Sequence, residues 1–259
     1  MSAPAMAAAR PIPYRAAVLY QAAARLLAYP DTELAGELPL LREALRAVGT
    51  PEAEALLPVV AYLAGDGSAG VAEAAGQGSG VAEAAGQGSG AEEAARGPEV
   101  AAAPADLSGL AAAYVATFDF TSRHCLHLTW WTEGDTRRRG AALVRFKEHY
   151  RRYGMDPVDG DLPDFLPVVL EFSAATRTDA LLREHRPALE LLRLALTENG
   201  TPYARVLEAV CGTLPGASPA DRAQAMAMAR GGPPSEEVGL VPYGHLGLLP
   251  LLTDRSESR

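Results

Sequence analysis

The residues best suited to metal chemistry lie in one short stretch, at His124, Cys125 and His127. Imidazole and thiolate groups are preferred zinc ligands, but a closed zinc site needs about four of them. Cys211 would have to come from far along the chain, and its place in an apolar helical pattern predicts that it faces a core. We therefore expect no metal site. A helical metal-dependent hydrolase that uses this cluster stays as an alternative.

Glycines at 65, 67 and 70 have the spacing of a dinucleotide-binding fingerprint. They lack the preceding strand and following helix that give this pattern its meaning. Lys147 is the only lysine and follows Phe146, which excludes a phosphate-binding loop that ends in Gly-Lys-Ser/Thr. No Gly-x-Ser-x-Gly elbow occurs in a strand–turn–helix setting. The sequence thus predicts no bound cofactor and a protein that is not an enzyme.

Three consecutive arginines, Arg137, Arg138 and Arg139, open a predicted helix. Cations in the first turn oppose the helix dipole and cost a few tenths of a kcal/mol each. Breaks of local rules concentrate at functional sites, so an ionic network at the edge of a binding surface is one interpretation. The alternative is that Glu133 and Asp135 neutralise these arginines and solvent covers the rest.

The two tryptophans of the chain, Trp130 and Trp131, are adjacent. Neighbours on a helix point about 100° apart, so one core face cannot easily take both. We expect one ring to pack inside and the other to reach a surface, where tryptophan is a favoured anchor for a protein partner. The alternative is that both rings are buried between two helices.

The charge balance limits the kind of partner. The chain has 259 residues, a net charge of −9 and two cysteines. An acidic protein is poorly suited to nucleic acid, and we expect no nucleic-acid binding. A basic or cationic-amphipathic partner fits better. Few cysteines without CxxC spacing suit a reducing compartment. No segment has the roughly 18 apolar residues of a membrane helix, so we expect a cytoplasmic protein without stable membrane insertion.

Apolar residues recur at helical spacing along most of the chain, and no hairpin signal separates alternating apolar runs. Asp135 and Asp164 are each placed to cap a helix, Gly154 to end one, and Pro187 to kink or split another. The fold class is therefore all-α, a single helical bundle. The predicted helices cover 14–29, 33–48, 51–63, 107–119, 136–153, 165–175, 179–196 and 219–229, and a further helix begins at Thr201-Pro202 and carries Val206, Leu207 and Val210.

One part of the chain interrupts this pattern. Residues 71–80 and 81–90 both read VAEAAGQGSG, within a stretch rich in Gly, Ala, Ser and Gln. Such a composition cannot bury enough surface to offset the entropy of ordering. We predict bundle helices in 12–63, a flexible, disordered insertion in 64–105, the main helices of the same bundle in 106–231, and an irregular tail in 232–259.

Four stretches together resemble a known family: YVATFD at 114–119, CLHLTWW at 125–131, GDTRRRG at 134–140 and DLPDFLPVVLEF at 161–172. They are similar to the respiratory nitrate reductase assembly chaperones (NarJ type, also called the delta subunit), within the helical redox-enzyme maturation chaperones. Relatives often carry histidine after the Pro-Asp turn, where this chain has Phe165. The tandem decamer is not part of the family pattern.

This resemblance implies an all-helical chaperone that binds the N-terminal segment of the apo catalytic molybdenum subunit of nitrate reductase. Such a chaperone keeps the segment from premature membrane attachment and permits insertion of the molybdenum cofactor. A permanent structural subunit of a respiratory complex is the alternative. The expected peptide-binding residues combine an apolar surface with a charged rim. They are Tyr114, Phe118, Asp119, Trp130, Trp131, Glu133, Asp135, Arg137, Arg138, Arg139, Asp164 and Glu171.

Overall fold

Helices form nearly all of the regular backbone, as the apolar spacing predicts. A computed structural model describes residues 11–66, 107–157 and 160–230, and the predicted all-α class is confirmed there. Within those ranges the only strand-like pairing is one isolated β-bridge. The helices are α1 (Tyr14–Leu26), α2 (Thr32–Val48), α3 (Pro51–Leu63), α4 (Leu107–Phe118), α5 (Leu128–Glu133), α6 (Arg137–Arg152), α7 (Leu166–Thr176), α8 (Ala180–Glu184), α9 (Arg186–Asn199), α10 (Ala204–Thr213) and α11 (Arg222–Arg230).

Local sequence signals explain several helix ends. The Asp31 carboxylate accepts a hydrogen bond from the backbone N–H of Leu34 at the start of α2. Gly154 has a φ of 71°, a left-handed conformation that favours glycine, directly after α6. Pro187 lies in the first turn of α9, and His185 separates that helix from α8. The predicted split at this proline is confirmed.

Helix α1 lies at the centre of the packing. It contacts α2 and α3 from its own part of the chain and α7 and α10 from the later part. One apolar core therefore joins helices from 12–63 with helices from 106–231. Five core leucines from different helices are fully buried, which shows how far this core extends: Leu26, Leu56, Leu170, Leu189 and Leu207.

The predicted insertion and tail fall almost entirely outside the described residues. Of the insertion, the structure describes only 64–66, which end the turn after α3. The tail predicted for 232–259 is not described at all. No helix in the described ranges combines the length and the apolar character that crossing a membrane requires.

A buried carboxylate, Glu190 of α9, ties down the segment that leads to α11. Its side chain is 0% exposed and accepts hydrogen bonds from Arg186 at 3.3 Å, Arg193 at 2.7 Å and Ser218 at 2.7 Å. Arg186 also donates to the carbonyl oxygen of Gly216 at 2.8 Å. The Glu190 carboxylate thus links the chain after α10 to the face of α9 on which α11 packs.

We expect Glu190→Ala to lower the free energy of unfolding by about 3–5 kcal/mol, because two guanidinium groups would stay buried without their counterion. Urea denaturation followed by circular dichroism measures this. Arg183→Ala is the control, since its pair with Asp179 spans 3.9 Å and the arginine is 57% exposed. That change should alter stability by less than about 1 kcal/mol. Equal stability of the two variants would contradict the proposed role of Glu190.

Candidate functional site

Two of the stretches that carry the family resemblance meet in the structure. An antiparallel bridge pairs His127 with Phe165. On either side of it, the N–H of Leu128 donates to the Asp164 carbonyl at 3.0 Å, and the N–H of Leu166 donates to the Leu126 carbonyl at 2.8 Å. The entry to α5 and the entry to α7 are thereby held side by side.

Asp164 is the polar centre of this junction. Its side chain is 0% exposed and accepts from His127 Nδ1 at 3.1 Å, from the Thr129 N–H at 3.1 Å and from the Thr129 hydroxyl. Burial by itself would raise the pKa of this carboxyl, but the hydrogen bonds from His127 and Thr129 outweigh burial and lower it. Asp164 is thus held as a buried anion.

The predicted cap role of Asp164 is wrong. The residue at the N-cap of α7 is Phe165, with no side-chain cap bond, and the Asp164 carboxylate turns inward to α5 instead. The predicted cap at Asp135 is also wrong. Thr136 occupies the N-cap of α6 without a side-chain cap bond, and Asp135 is exposed. In both cases the helix begins one residue later than a cap at the aspartate requires.

The three arginines have different environments. Arg139 Nε donates to the Thr129 hydroxyl at 3.2 Å, and its Nη2 lies 3.9 Å from Asp164. Arg138 pairs with Glu133 at 3.5 Å but is 81% exposed, so that pair is weak. Arg137 is exposed. Of the three arginines, Arg139 is the main member of an ionic network. That network lies in the interior, at Asp164 and Thr129.

Two predicted contact residues are part of the core. Tyr114 and Phe118 are 6% and 8% exposed, and both rings pack against Tyr203. The Tyr114 hydroxyl donates to the Leu27 carbonyl at 3.1 Å, and burial raises the pKa of this phenol. The expectation of an open apolar surface at these two rings is wrong, because an aromatic cluster closes over them. Asp119, just after α4, is exposed.

The tryptophans are both partly exposed rather than one inside and one outside. Trp131 packs against the core, and its indole Nε1 donates to the Cys125 carbonyl at 2.9 Å. The ring of Trp130 is not held by such a bond. Trp130 lies on α5, three residues before Glu133 and close in sequence to the start of α6. This end of α6 keeps an aromatic and several charged groups in contact with solvent.

The His-Cys-His stretch is used for structure. His124 bonds through Nδ1 to the Thr117 carbonyl at 2.8 Å, and His127 bonds to Asp164. Among the described residues, no three His, Cys, Asp or Glu side chains are grouped so as to hold a metal. Cys211 is buried, as its apolar pattern predicts, and burial raises the pKa of its thiol.

A cavity of about 220 Å³ lies between the C-terminal end of α6, the turn after it, and α7. Its walls are apolar and aromatic, with Tyr150 and Phe172 at a ring-centroid distance of 4.6 Å. Three carboxylates, Asp156, Asp161 and Glu171, stand at its rim. An apolar interior with an acidic edge suits a side chain that is both apolar and cationic.

The Glu171 carboxyl at the rim has a shifted pKa. Burial raises the pKa of its carboxyl, Arg25 opposes that rise, and Asp161 and Glu37 add to it. Asp156 is paired with Arg151 at 3.1 Å, so the like charge that acts on Glu171 at the rim comes from Asp161. Sequence reasoning found Glu171 but missed Asp156 and Asp161. Their position in the turn that follows Gly154 and precedes the Pro-Asp pair was the available signal.

We expect Asp164→Asn to lower the free energy of unfolding by about 3 kcal/mol at pH 7, because the buried junction loses its anion. The pKa of Asp164 is lowered below 3.8 in the folded protein. Its contribution is therefore present above that value and is lost as pH falls through the folded pKa.

Denaturation of the wild type and Asp164→Asn at pH 7 and near pH 3 tests this, and the stability difference should shrink at the lower pH. Asp135→Asn is the matched control, because Asp135 is exposed and makes no cap bond. If Asp164→Asn is as stable as the wild type, the carboxylate does not stabilise the junction.

Comparison with known proteins identifies the relatives of this chain. A family model described as "Nitrate reductase delta subunit" matches residues 84–208. "Nitrate reductase-like protein NarX" from Mycobacterium tuberculosis is 46% identical over 112 residues, which cover 42% of this chain and 17% of that protein. "Probable nitrate reductase molybdenum cofactor assembly chaperone NarJ" from Bacillus subtilis is 33% identical over 104 residues, which cover 39% of this chain and 56% of that protein.

The chain thus spans about half of the Bacillus relative and a much smaller share of the mycobacterial ones. A solved structure of a candidate redox enzyme maturation protein from Archaeoglobus fulgidus aligns with a TM-score of 0.48 at 18% identity, covering 77% of this chain and 94% of that one. The matched residues 84–208 contain both segments of the Asp164 junction. Through that region this chain is similar to the nitrate reductase delta subunit family, and the resemblance noted in its sequence is confirmed.

Proposed function

We propose that this chain is an assembly chaperone for a respiratory nitrate reductase. In this role it binds the N-terminal segment of the apo catalytic subunit in the cytoplasm, before membrane attachment, and thereby permits insertion of the molybdenum cofactor. It acts by holding the segment and catalyses no reaction. The family match and the name of the Bacillus relative support this function.

The single observation that carries the proposal is the acid-rimmed cavity at the end of α6. Its volume of about 220 Å³ is below the ~300–1,000 Å³ of typical small-molecule sites. A cavity of this size suits an anchoring side chain of a peptide better than a whole cofactor. Phe172 forms part of its aromatic wall. The Phe172 ring also packs against Tyr153, which does not line the cavity, at a ring-centroid distance of 5.3 Å.

Charge supports a basic partner at this site. Asp156, Asp161 and Glu171 share the rim, and the chain as a whole carries a net charge of −9. Complementary charge mainly speeds encounter and selects the partner. A segment that alternates apolar and basic residues can fill the cavity with its apolar part and pair its charge with the rim.

We further propose that the client contacts a second surface at the start of α6. Of the residues expected from the sequence, those with solvent access there are Trp130, Trp131, Glu133, Asp135, Arg137 and Arg138. Along the axis of α6, residues 137 and 150 are about 20 Å apart. An extended segment of about six residues covers that distance. Four of the expected residues support the fold and do not contact the client: Tyr114, Phe118, Arg139 and Asp164. Asp119 is exposed at a separate position.

Calorimetry with a synthetic peptide of the client's N-terminal segment tests the proposal. We expect Asp161→Asn combined with Glu171→Gln to weaken binding about tenfold or more, because the cationic group would lose its partners. Asp119→Ala combined with Asp135→Ala should weaken binding less, and added salt should weaken binding by the wild type.

Glu208→Gln on α10 is a suitable control, since it removes one exposed acid away from both surfaces. If the wild type does not bind the peptide, the proposed function fails. If it binds and the cavity variant binds equally well, the segment is held elsewhere on the chain.

A further inference from the structure

One carboxylate at the rim of the cavity already has a cationic partner. Arg151, in the last turn of α6, donates through Nε to the Asp156 carboxylate at 3.1 Å. Asp156 lines the cavity together with Asp161 and Glu171. Of these three acids, only Asp156 forms a direct ion pair with another described residue. A cation of the chain itself therefore stands at the edge of the cavity.

The turn that carries Asp156 is fixed without this ion pair. Gly154 has a φ of 71°, and its N–H donates to the Arg151 carbonyl at 3.0 Å. The next N–H, that of Met155, donates to the Tyr150 carbonyl at 3.1 Å. These two bonds form the Schellman motif, in which a left-handed glycine ends a helix through backbone groups alone. The Arg151 side chain is thus not required to hold the turn.

Both partners of the ion pair are open to solvent. The side chains of Arg151 and Asp156 are 62% and 64% exposed. Exposed ion pairs are weak, because water and salt screen the charges and two long side chains lose freedom when they pair. The Arg151 guanidinium can therefore leave the carboxylate at little cost when another cation approaches.

We propose that Arg151 is a specificity-determining residue of the cavity, which occupies Asp156 in the free protein and is displaced by a cationic side chain of the client. The occupant is an arginine or lysine of the client segment. This inference rests on the proposed function and names a residue that sets how tightly that site holds its client. The competition keeps the affinity lower than three unpaired rim carboxylates would give.

A structural role for the Arg151–Asp156 pair predicts a different result. If the pair held the cavity wall in place, its loss would loosen the wall and weaken the binding of every peptide, charged or neutral. Competition predicts that loss of Arg151 tightens binding, and only for a peptide that carries a cation. The sign of the change and its dependence on peptide charge thus separate the two roles.

The experiment uses two synthetic peptides of the client's N-terminal segment. One carries arginine at its basic positions, and the other carries citrulline, a neutral side chain of nearly the same shape. Affinities for the full chain are measured by calorimetry at low ionic strength, where screening is weak. For the arginine peptide, we expect Arg151→Gln to tighten binding about two- to fivefold and Asp156→Asn to weaken it by a similar factor. For the citrulline peptide, both effects should disappear.

Two further variants make the test specific. Arg42→Gln removes one cation from an exposed ion pair with Asp66 at a different cavity, and controls for a change in net charge alone. Arg151→Lys keeps the charge and should bind the arginine peptide with nearly wild-type affinity. Circular dichroism confirms that each variant is folded before its affinity is compared.

The outcomes separate this inference from the function beneath it. If the wild type does not bind the arginine peptide, both fail. If the wild type binds and Arg151→Gln leaves the affinity unchanged or lowers it, the competition alone is overturned. It is also overturned by a tightening that Arg42→Gln reproduces or that persists with the citrulline peptide, and by an Asp156→Asn variant that binds as well as the wild type. Opposite shifts from Arg151→Gln and Asp156→Asn, confined to the arginine peptide, support it.

Discussion

The arrangement of the second half of this bundle depends on one buried carboxylate. Asp164 is charged and has no solvent contact, so its cost of desolvation must be offset by direct hydrogen bonds. His127 and Thr129 provide them, and Arg139 reaches the same group from α6. The start of α5, the first turn of α6 and the residue before the N-cap of α7 are thereby fixed in one geometry. The antiparallel bridge beside them adds backbone bonds to the same junction.

The cavity follows from this junction. Because the start of α7 is held against α5, the Tyr150 hydroxyl of α6 can donate to the Pro163 carbonyl at 2.6 Å. The same tyrosine packs on Phe172, one turn or more into α7. The end of α6 and the middle of α7 therefore keep a fixed separation, and Asp156 and Asp161 line the space between them. The cavity and the junction that fixes its walls therefore share one short part of the chain.

The sequence predicted the helices well and the polar contacts poorly. Helix periods and terminal signals such as Pro187 and Gly154 are local, so spacing alone reveals them. Asp164 looked like a cap because its true partner, Thr129, is 35 residues away in sequence. Tyr114 and Phe118 looked available because Tyr203, which covers them, is the N-cap residue of α10, and no local pattern connects it to α4. Glu171 was identified from its surroundings in the family pattern, whereas the cavity that it lines depends on where residues 155–157 and 161 lie in space.

The Thr129 hydroxyl is used in both directions, since it donates to Asp164 and accepts from Arg139. A hydroxyl has a single proton, so donation to the carboxylate leaves only lone pairs for the guanidinium. Valine has the same shape but offers neither function at this fully buried position. A replacement that keeps both contacts must therefore supply a donor and an acceptor at the position of this hydroxyl for as long as the Asp164 anion is retained.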